Sequence, residues 1–337
     1  MRVGLVGAGR IGVVHARTLV AQPGVDLAIA DVAPERALAL ADELGVEHAP
    51  DIDDLLASVG ALVVTAATSA HAGLVTAAVT EGIPVFCEKP VAPTLAETLE
   101  VLGLVQRSGV QVQIGFQRRF DAGYAAARRA VASGELGWIH TIRAGTNDPA
   151  PPPDEYVPQS GGIFRDCSVH DVDVLRWVTG REVVQAFAVG ANHGSDVFRD
   201  CGDVDAAAAL LTLDSGTHVL LNATRYNARG YDVRMELLGS QDSISVGLDD
   251  RTPLRSVEPG VTFPAGDPWP QFMERFAPAY EDEMVAFAKV AAGELPSPCT
   301  VDDALRAAMV TEACHLSRLR GRSVEVAEVA TRIGAPL

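Results

Sequence analysis

The sequence predicts an α/β protein of two domains: an N-terminal doubly wound parallel sheet, and a C-terminal α/β domain built on a mostly antiparallel sheet. Three observations carry this. The chain has 337 residues, about twice a common domain length. Short apolar strands alternate with helical patterns through its first third. From about Phe120 the strands crowd together and turn signals, not helices, separate them. The boundary therefore falls between 1–120 and 121–337.

In the first domain Val3–Val6 reads as a strand and Arg10–Val20 as a helix. Val25–Ala30 returns as a strand, Pro34–Leu44 as a helix and Ala61–Ala66 as a strand. His71–Thr80 is helical and Pro84–Cys87 extended. In the second domain, helices at Gly123–Ala132 and Val169–Val178 flank a proline-rich loop, Pro149–Pro158. Strands follow at Val183–Val189, Ala206–Leu213, His218–Arg225, Asp232–Leu238 and Ser243–Val246, punctuated by Asp214-Ser215-Gly216 and Gly239-Ser240. Thr300 caps a last helix that runs to Leu319 and is expected to pack back on the first domain.

Composition narrows the function classes. Hydrophobic residues make up 48% and charged residues 21%, which excludes a disordered chain. Acidic residues outnumber basic ones 44 to 27, a net charge of −17 that a nucleic acid or an anionic membrane would repel. The five cysteines are odd in number and never spaced C-x-x-C, which argues against a disulfide framework or a zinc site and points to a reducing cytoplasm. The apolar start, Val3–Ala8, is too short for a secretory signal. Leu55–Thr80 carries no acidic or basic side chain, but Ser58, Thr65, Thr68, Ser69, His71 and Thr76 make it a buried strand, loop and helix, not a membrane span. A soluble protein with a small-molecule substrate is expected.

Gly7-Ala8-Gly9-Arg10-Ile11-Gly12 is a G-x-G-x-x-G element that follows an apolar strand and opens a helix. In that setting the first glycine permits the tight turn, the second admits a pyrophosphate, and the third lets helix and strand pack. The helix N-terminus offers N–H groups and partial positive charge to the phosphates. Asp31 ends the next strand, where a carboxylate binds both adenosine ribose hydroxyls. With no cation in Val32-Ala33 to offset it, NAD is preferred over NADP. The expected cofactor-binding residues are Gly7, Gly9, Arg10, Ile11, Gly12, Asp31, Thr68, His71, Glu88 and Lys89; no metal is expected.

Glu88-Lys89-Pro90 places a charged pair at the carboxyl end of a strand, where doubly wound sheets bind ligands. Lys89 and Lys289 are the only lysines, so this one stands out. A surface ion pair is the alternative. Asp166 and His170, after the Gly161-Gly162 pair, are four apart and share a helical face if that turn is helical. Histidine exchanges protons near neutral pH, and a nearby aspartate orients it and stabilises its cation. Here the alternative is a helix cap with a core histidine.

The three elements in this order resemble the glucose–fructose oxidoreductase/inositol dehydrogenase/rhizopine-catabolism (Gfo/Idh/MocA) family, over nearly the whole chain. Gly115-Phe116-Gln117-Arg118-Arg119-Phe120-Asp121 and Gly230-Tyr231-Asp232-Val233 resemble its inositol dehydrogenase branch more loosely. The resemblance implies a Rossmann domain, a second domain whose large open sheet packs in dimers or tetramers, and a Lys-Asp-His catalytic set. Carried over, Lys89 bonds the reacting hydroxyl, His170 takes its proton and Asp166 tunes both. Asn147, Asp173 and Tyr231 fall where inositol enzymes contact ring hydroxyls. The loop Thr146–Gly162 departs from those enzymes. The function implied is NAD-dependent oxidation of a cyclic polyol, inositol first. The runners-up are a dehydrogenase of another sugar, an NAD-dependent glycoside hydrolase and a non-catalytic ligand-sensing regulator.

Overall fold

The computed structural model describes residues 1–336. Two compact units make up the chain: Met1–Phe120 with Pro278–Leu305, and Asp121–Ala277 with Arg306–Leu337.

The first unit holds six parallel strands: β1 (Arg2–Val6), β2 (Asp26–Ala30), β3 (Glu47–His48), β4 (Ala61–Val64), β5 (Val85–Glu88) and β6 (Val112–Gly115). Their order is β3-β2-β1-β4-β5-β6, with a reversal between β1 and β4. The helices α1 (Arg10–Val20), α2 (Pro34–Leu44), α3 (Ile52–Ser58), α4 (Thr68–Thr80) and α5 (Leu95–Ser108) connect them. Buried on both faces, the strands read as unbroken apolar runs such as Ala61-Leu62-Val63-Val64. This is the Rossmann arrangement expected.

One core cluster joins Val3, Leu5, Ile29, Val63 and Phe86 of the sheet to Ala16 and Leu19 of α1 and Leu40 of α2. Met284, Phe287 and Val290 complete it. These last three belong to a helix late in the chain that hydropathy alone had not marked. The segment that returns to the first unit is thus Pro278–Leu305, and of the helix expected at 300–320 only the first turn lies in it.

The second unit opens with α6 (Ala122–Ser133) and β7 (Ile139–Asn147). Next come α7 (Val169–Thr179), β8 (Val183–Ala191), α8 (Asp196–Asp200), β9 (Ala206–Leu213), β10 (His218–Thr224), β11 (Asp232–Gly239), β12 (Ser243–Val246) and α9 (Phe272–Arg275). The helix α10 (Ala277–Ala291) carries the three core residues just named. It precedes α11 (Val301–Arg320), β13 (Val324–Glu325) and α12 (Val326–Ile333). The sheet runs β12-β11-β7-β10-β9-β8-β13; every pair is antiparallel except β10 with β7. One face is buried and the other open. On the open face Phe187, Leu210 and Leu220 stand side by side across β8, β9 and β10, each more than 40% exposed.

Candidate active site

The glycine turn is built as its spacing requires. Gly7 has φ +108°, and a side-chain carbon there would meet the Ala66 backbone nitrogen at 2.5 Å. At Gly12 it would sit 1.9 Å from the Gly7 carbonyl oxygen, so α1 could not pack against the turn. At Gly9 it would meet no protein atom within 4 Å, leaving the backbone N–H groups at the start of α1 open to a pyrophosphate. Arg10 and Ile11 form the first turn of that helix.

Asp31 stands at the end of β2. Its Oδ2 accepts the Ala8 N–H at 2.6 Å and its Oδ1 the Ala33 N–H at 2.8 Å. Beside it opens a cavity of about 510 Å³ with apolar walls from Val32, Ile52, Leu56, Leu74 and Ala77, and acidic groups from Asp31, Asp51 and Asp53. An adenosine fits these surroundings: apolar walls for the base and a fixed carboxylate for ribose hydroxyls.

The turn that follows β5 carries Glu88, Lys89 and Pro90. Glu88 is no surface ion-pair partner. Its Oε1 lies 2.7 Å from Nε2 of the buried His15, and its Oε2 accepts the Lys89 backbone N–H at 3.2 Å. Glu283 joins them, with ligand atoms of the three within 4.8 Å of one another. The 2.7 Å separation is that of a hydrogen bond between imidazole and carboxyl group. His71, expected to contact the cofactor, is buried on α4. Its Nδ1 lies 2.7 Å from the Pro90 oxygen and its Nε2 3.0 Å from the Ala66 oxygen. Both nitrogens therefore face backbone carbonyl oxygens, and the ring sits between the β4 and β5 turns. Thr68 begins the same helix.

In the second unit, Phe164–Ser168 forms a π turn that runs into α7. Asp166 and His170 lie four apart along it, and both are partly exposed. Asp166 caps no helix. Its Oδ2 accepts from Arg225 Nη2 at 2.7 Å and its Oδ1 from the Tyr156 hydroxyl at 2.9 Å. Arg225 also donates through Nη1 to Asp148 Oδ2 at 3.1 Å. Burial pushes the Asp148 carboxyl up despite Arg225. Burial works against the Arg225 cation, but the acidic groups around it outweigh that and hold the guanidinium charged.

Asp173 is fully buried one turn after His170. Asn147 ends β7, taking a hydrogen bond from Asn222 at 2.7 Å and giving one to Asp232 at 3.3 Å. Tyr231, 5% exposed, packs edge-on against Phe272 and Phe276. Sequence reading had not singled out Tyr156, Asp148, Arg225 or the His15–Glu283 pair. A lone arginine after a strand and a tyrosine in a loop give no periodic or spacing signal, since their partners are distant in sequence.

Known proteins match this architecture over nearly all of the chain. The model of an oxidoreductase family with an NAD-binding Rossmann fold matches residues 1–116, and that of the GFO/IDH/MocA C-terminal domain matches 124–245. A myo-inositol dehydrogenase of Streptomyces leeuwenhoekii is 40% identical, covering 93% of this chain and 96% of its own. A myo-inositol 2-dehydrogenase of Thermotoga maritima is 34% identical, covering 98% and 99%. The crystal structure of scyllo-inositol dehydrogenase from Lactobacillus casei with NAD(H) and scyllo-inositol superposes with a TM-score of 0.87 at 29% identity, covering 97% and 99%.

Proposed function

The chain belongs to the GFO/IDH/MocA oxidoreductase family, and from that premise we propose that it oxidises a secondary hydroxyl of a cyclic polyol, inositol first, with NAD. The observation that carries the proposal is the setting of Asp166: a carboxyl group that accepts from two donors, one turn before His170. Such a pair suits proton abstraction, and Lys89 supplies a cation in a chain almost devoid of lysine.

The glycine turn, the start of α1 and Asp31 would hold NAD, which would supply the acceptor for the hydride. Within the chain, Lys89 donates a hydrogen bond to the reacting oxygen and lowers the cost of its developing negative charge. His170 takes the hydroxyl proton, and Asp166 keeps its ring oriented and favours its cation. Asn147, Asp173 and Tyr231 are assigned to the ring hydroxyls. The relatives that support inositol are dehydrogenases of myo- and scyllo-inositol.

The second reading, a dehydrogenase of an aldose, anhydrosugar or amino sugar, draws on the proline-rich loop, which reaches Asp166 through Tyr156. The two are separated by following NADH absorbance with purified protein, NAD, both inositols and a panel of sugars. Inositol-dependent NADH confirms the first reading. Sugar-dependent NADH without it selects the second, and glycoside cleavage without free NADH selects a hydrolase.

The open face bearing Phe187, Leu210 and Leu220 is assigned to self-association as a dimer or tetramer, which light scattering on the eluting protein measures. No helix among the described residues is long and apolar enough to cross a membrane. All five cysteines are free, which suits a reducing cytoplasm.

A further inference from the structure

We infer that Tyr156 is a positioning residue that latches the proline-rich loop onto Asp166 and fixes that carboxylate one turn before His170; the inference rests on the role given to Asp166 above.

Arg225 is anchored independently. Its backbone N–H donates to the Asp205 oxygen at 2.8 Å, its side chain is 4% exposed, and its guanidinium spans Asp148 and Asp166. Yet it reaches Asp166 through a single nitrogen, Nη2, at Oδ2. The Tyr156 hydroxyl bonds the other oxygen, Oδ1, and bonds to both oxygens fix the carboxylate plane.

The donor is presented by a stiff segment. Residues 151–153 are three prolines and Pro158 closes the turn, so little backbone freedom is lost on holding the phenol in place. Tyr156 N–H donates to the Pro153 oxygen at 2.9 Å, and the adjacent Val157 is 3% exposed, seating the loop. The ring of Tyr156 is 43% exposed, so its place is not a core requirement. Burial of its hydroxyl end and the Asp166 carboxylate push the phenol above its ordinary range, which keeps it a donor. The loop meets Asp166 through this hydroxyl.

The test uses the full chain and two variants. Tyr156→Phe keeps ring and loop but removes the donor, and Asp166→Asn keeps shape but weakens the acceptor. Cleavage after the exposed Glu155 by a glutamate-specific protease is followed by mass spectrometry of fragments 1–155 and 156–337. Cleavage several-fold faster in both variants is expected. With the substrate that the wild type turns over, Tyr156→Phe is expected to lower kcat about tenfold while KM for NAD stays within twofold. Unchanged cleavage in both variants overturns the latch, and unchanged kcat overturns the positioning role. If the wild type oxidises neither inositols nor sugars, the functional reading fails, and the cleavage rates still decide the latch.

Discussion

Asp31 grips the glycine turn: its Oδ2 accepts the Ala8 N–H at 2.6 Å, so the carboxylate at the end of β2 is fixed against the loop before α1. A 2′-phosphate would stand beside that fixed charge, with Asp51 and Asp53 on the same cavity. The expected kcat/KM with NAD exceeds that with NADP by at least about tenfold, or about 1.4 kcal/mol. Asp31→Ser combined with Val32→Arg should shift the preference toward NADP. Equal use of the two cofactors by the wild type would contradict the role of Asp31.

Lys89 and His170 carry the chemistry in the proposed reaction. Lys89→Met and His170→Ala should each lower kcat by about a hundredfold or more, because each removes a transition-state interaction. NAD affinity, measured by fluorescence titration, should stay within a few-fold. Near wild-type turnover in either variant removes that residue from the mechanism.

Much of this was legible in the sequence because its signals are local. Arg10–Val20, Pro34–Leu44, Ala206–Leu213 and Ser243–Val246 were readable to the residue, each from a clean period and a clear boundary. β7, Ile139–Asn147, was not: in this interior strand the exposed His140 and Arg143 are three apart and Ala144-Gly145-Thr146 are buried in succession, so the pattern does not alternate. α10 escaped for another reason. Its apolar residues complete a core begun more than 250 residues earlier, a relation that no window of sequence contains. The same limit hid the Arg225–Asp166 contact, whose partners are 59 residues apart. The motif residues Gly7, Gly12, Asp31 and Lys89 stood out because their spacing to strand ends is itself the signal.

Acid stability should depend on Asp303. Thr300 caps α11 by donating its N–H and hydroxyl to Asp303 Oδ2, each at 2.9 Å, and accepting the Asp303 N–H at 3.2 Å. Burial raises the Asp303 carboxyl, but Arg119 and Thr300 outweigh it and hold it below its usual range. A folded-state value below the unfolded one of about 3.9 contributes stability above that pH, and the contribution is lost as pH falls. Asp303→Asn should therefore destabilise by about 1–3 kcal/mol near neutral pH. The gap in Tm between variant and wild type should narrow below about pH 4. A gap independent of pH would exclude the charge as its source.

The choice of substrate tests the second unit. Asn147 is oriented by Asn222 and Asp232, Tyr231 is set by Phe272 and Phe276, and Asp173 lies one turn beyond His170. Polar groups held this firmly suit a ring that presents hydroxyls in fixed directions, since a flexible chain must lose rotamer freedom to match them. Each buried group left unpaired by a poorer substrate costs about 1–3 kcal/mol. Myo- or scyllo-inositol should therefore exceed sorbitol in kcat/KM by tenfold or more. Asn147→Ala and Tyr231→Phe should raise KM for inositol by about five- to a hundredfold and leave KM for NAD within a few-fold. If both inositols yield no NADH while glucose, an anhydrosugar or an amino sugar does, these residues serve a different ring and the sugar dehydrogenase reading takes its place.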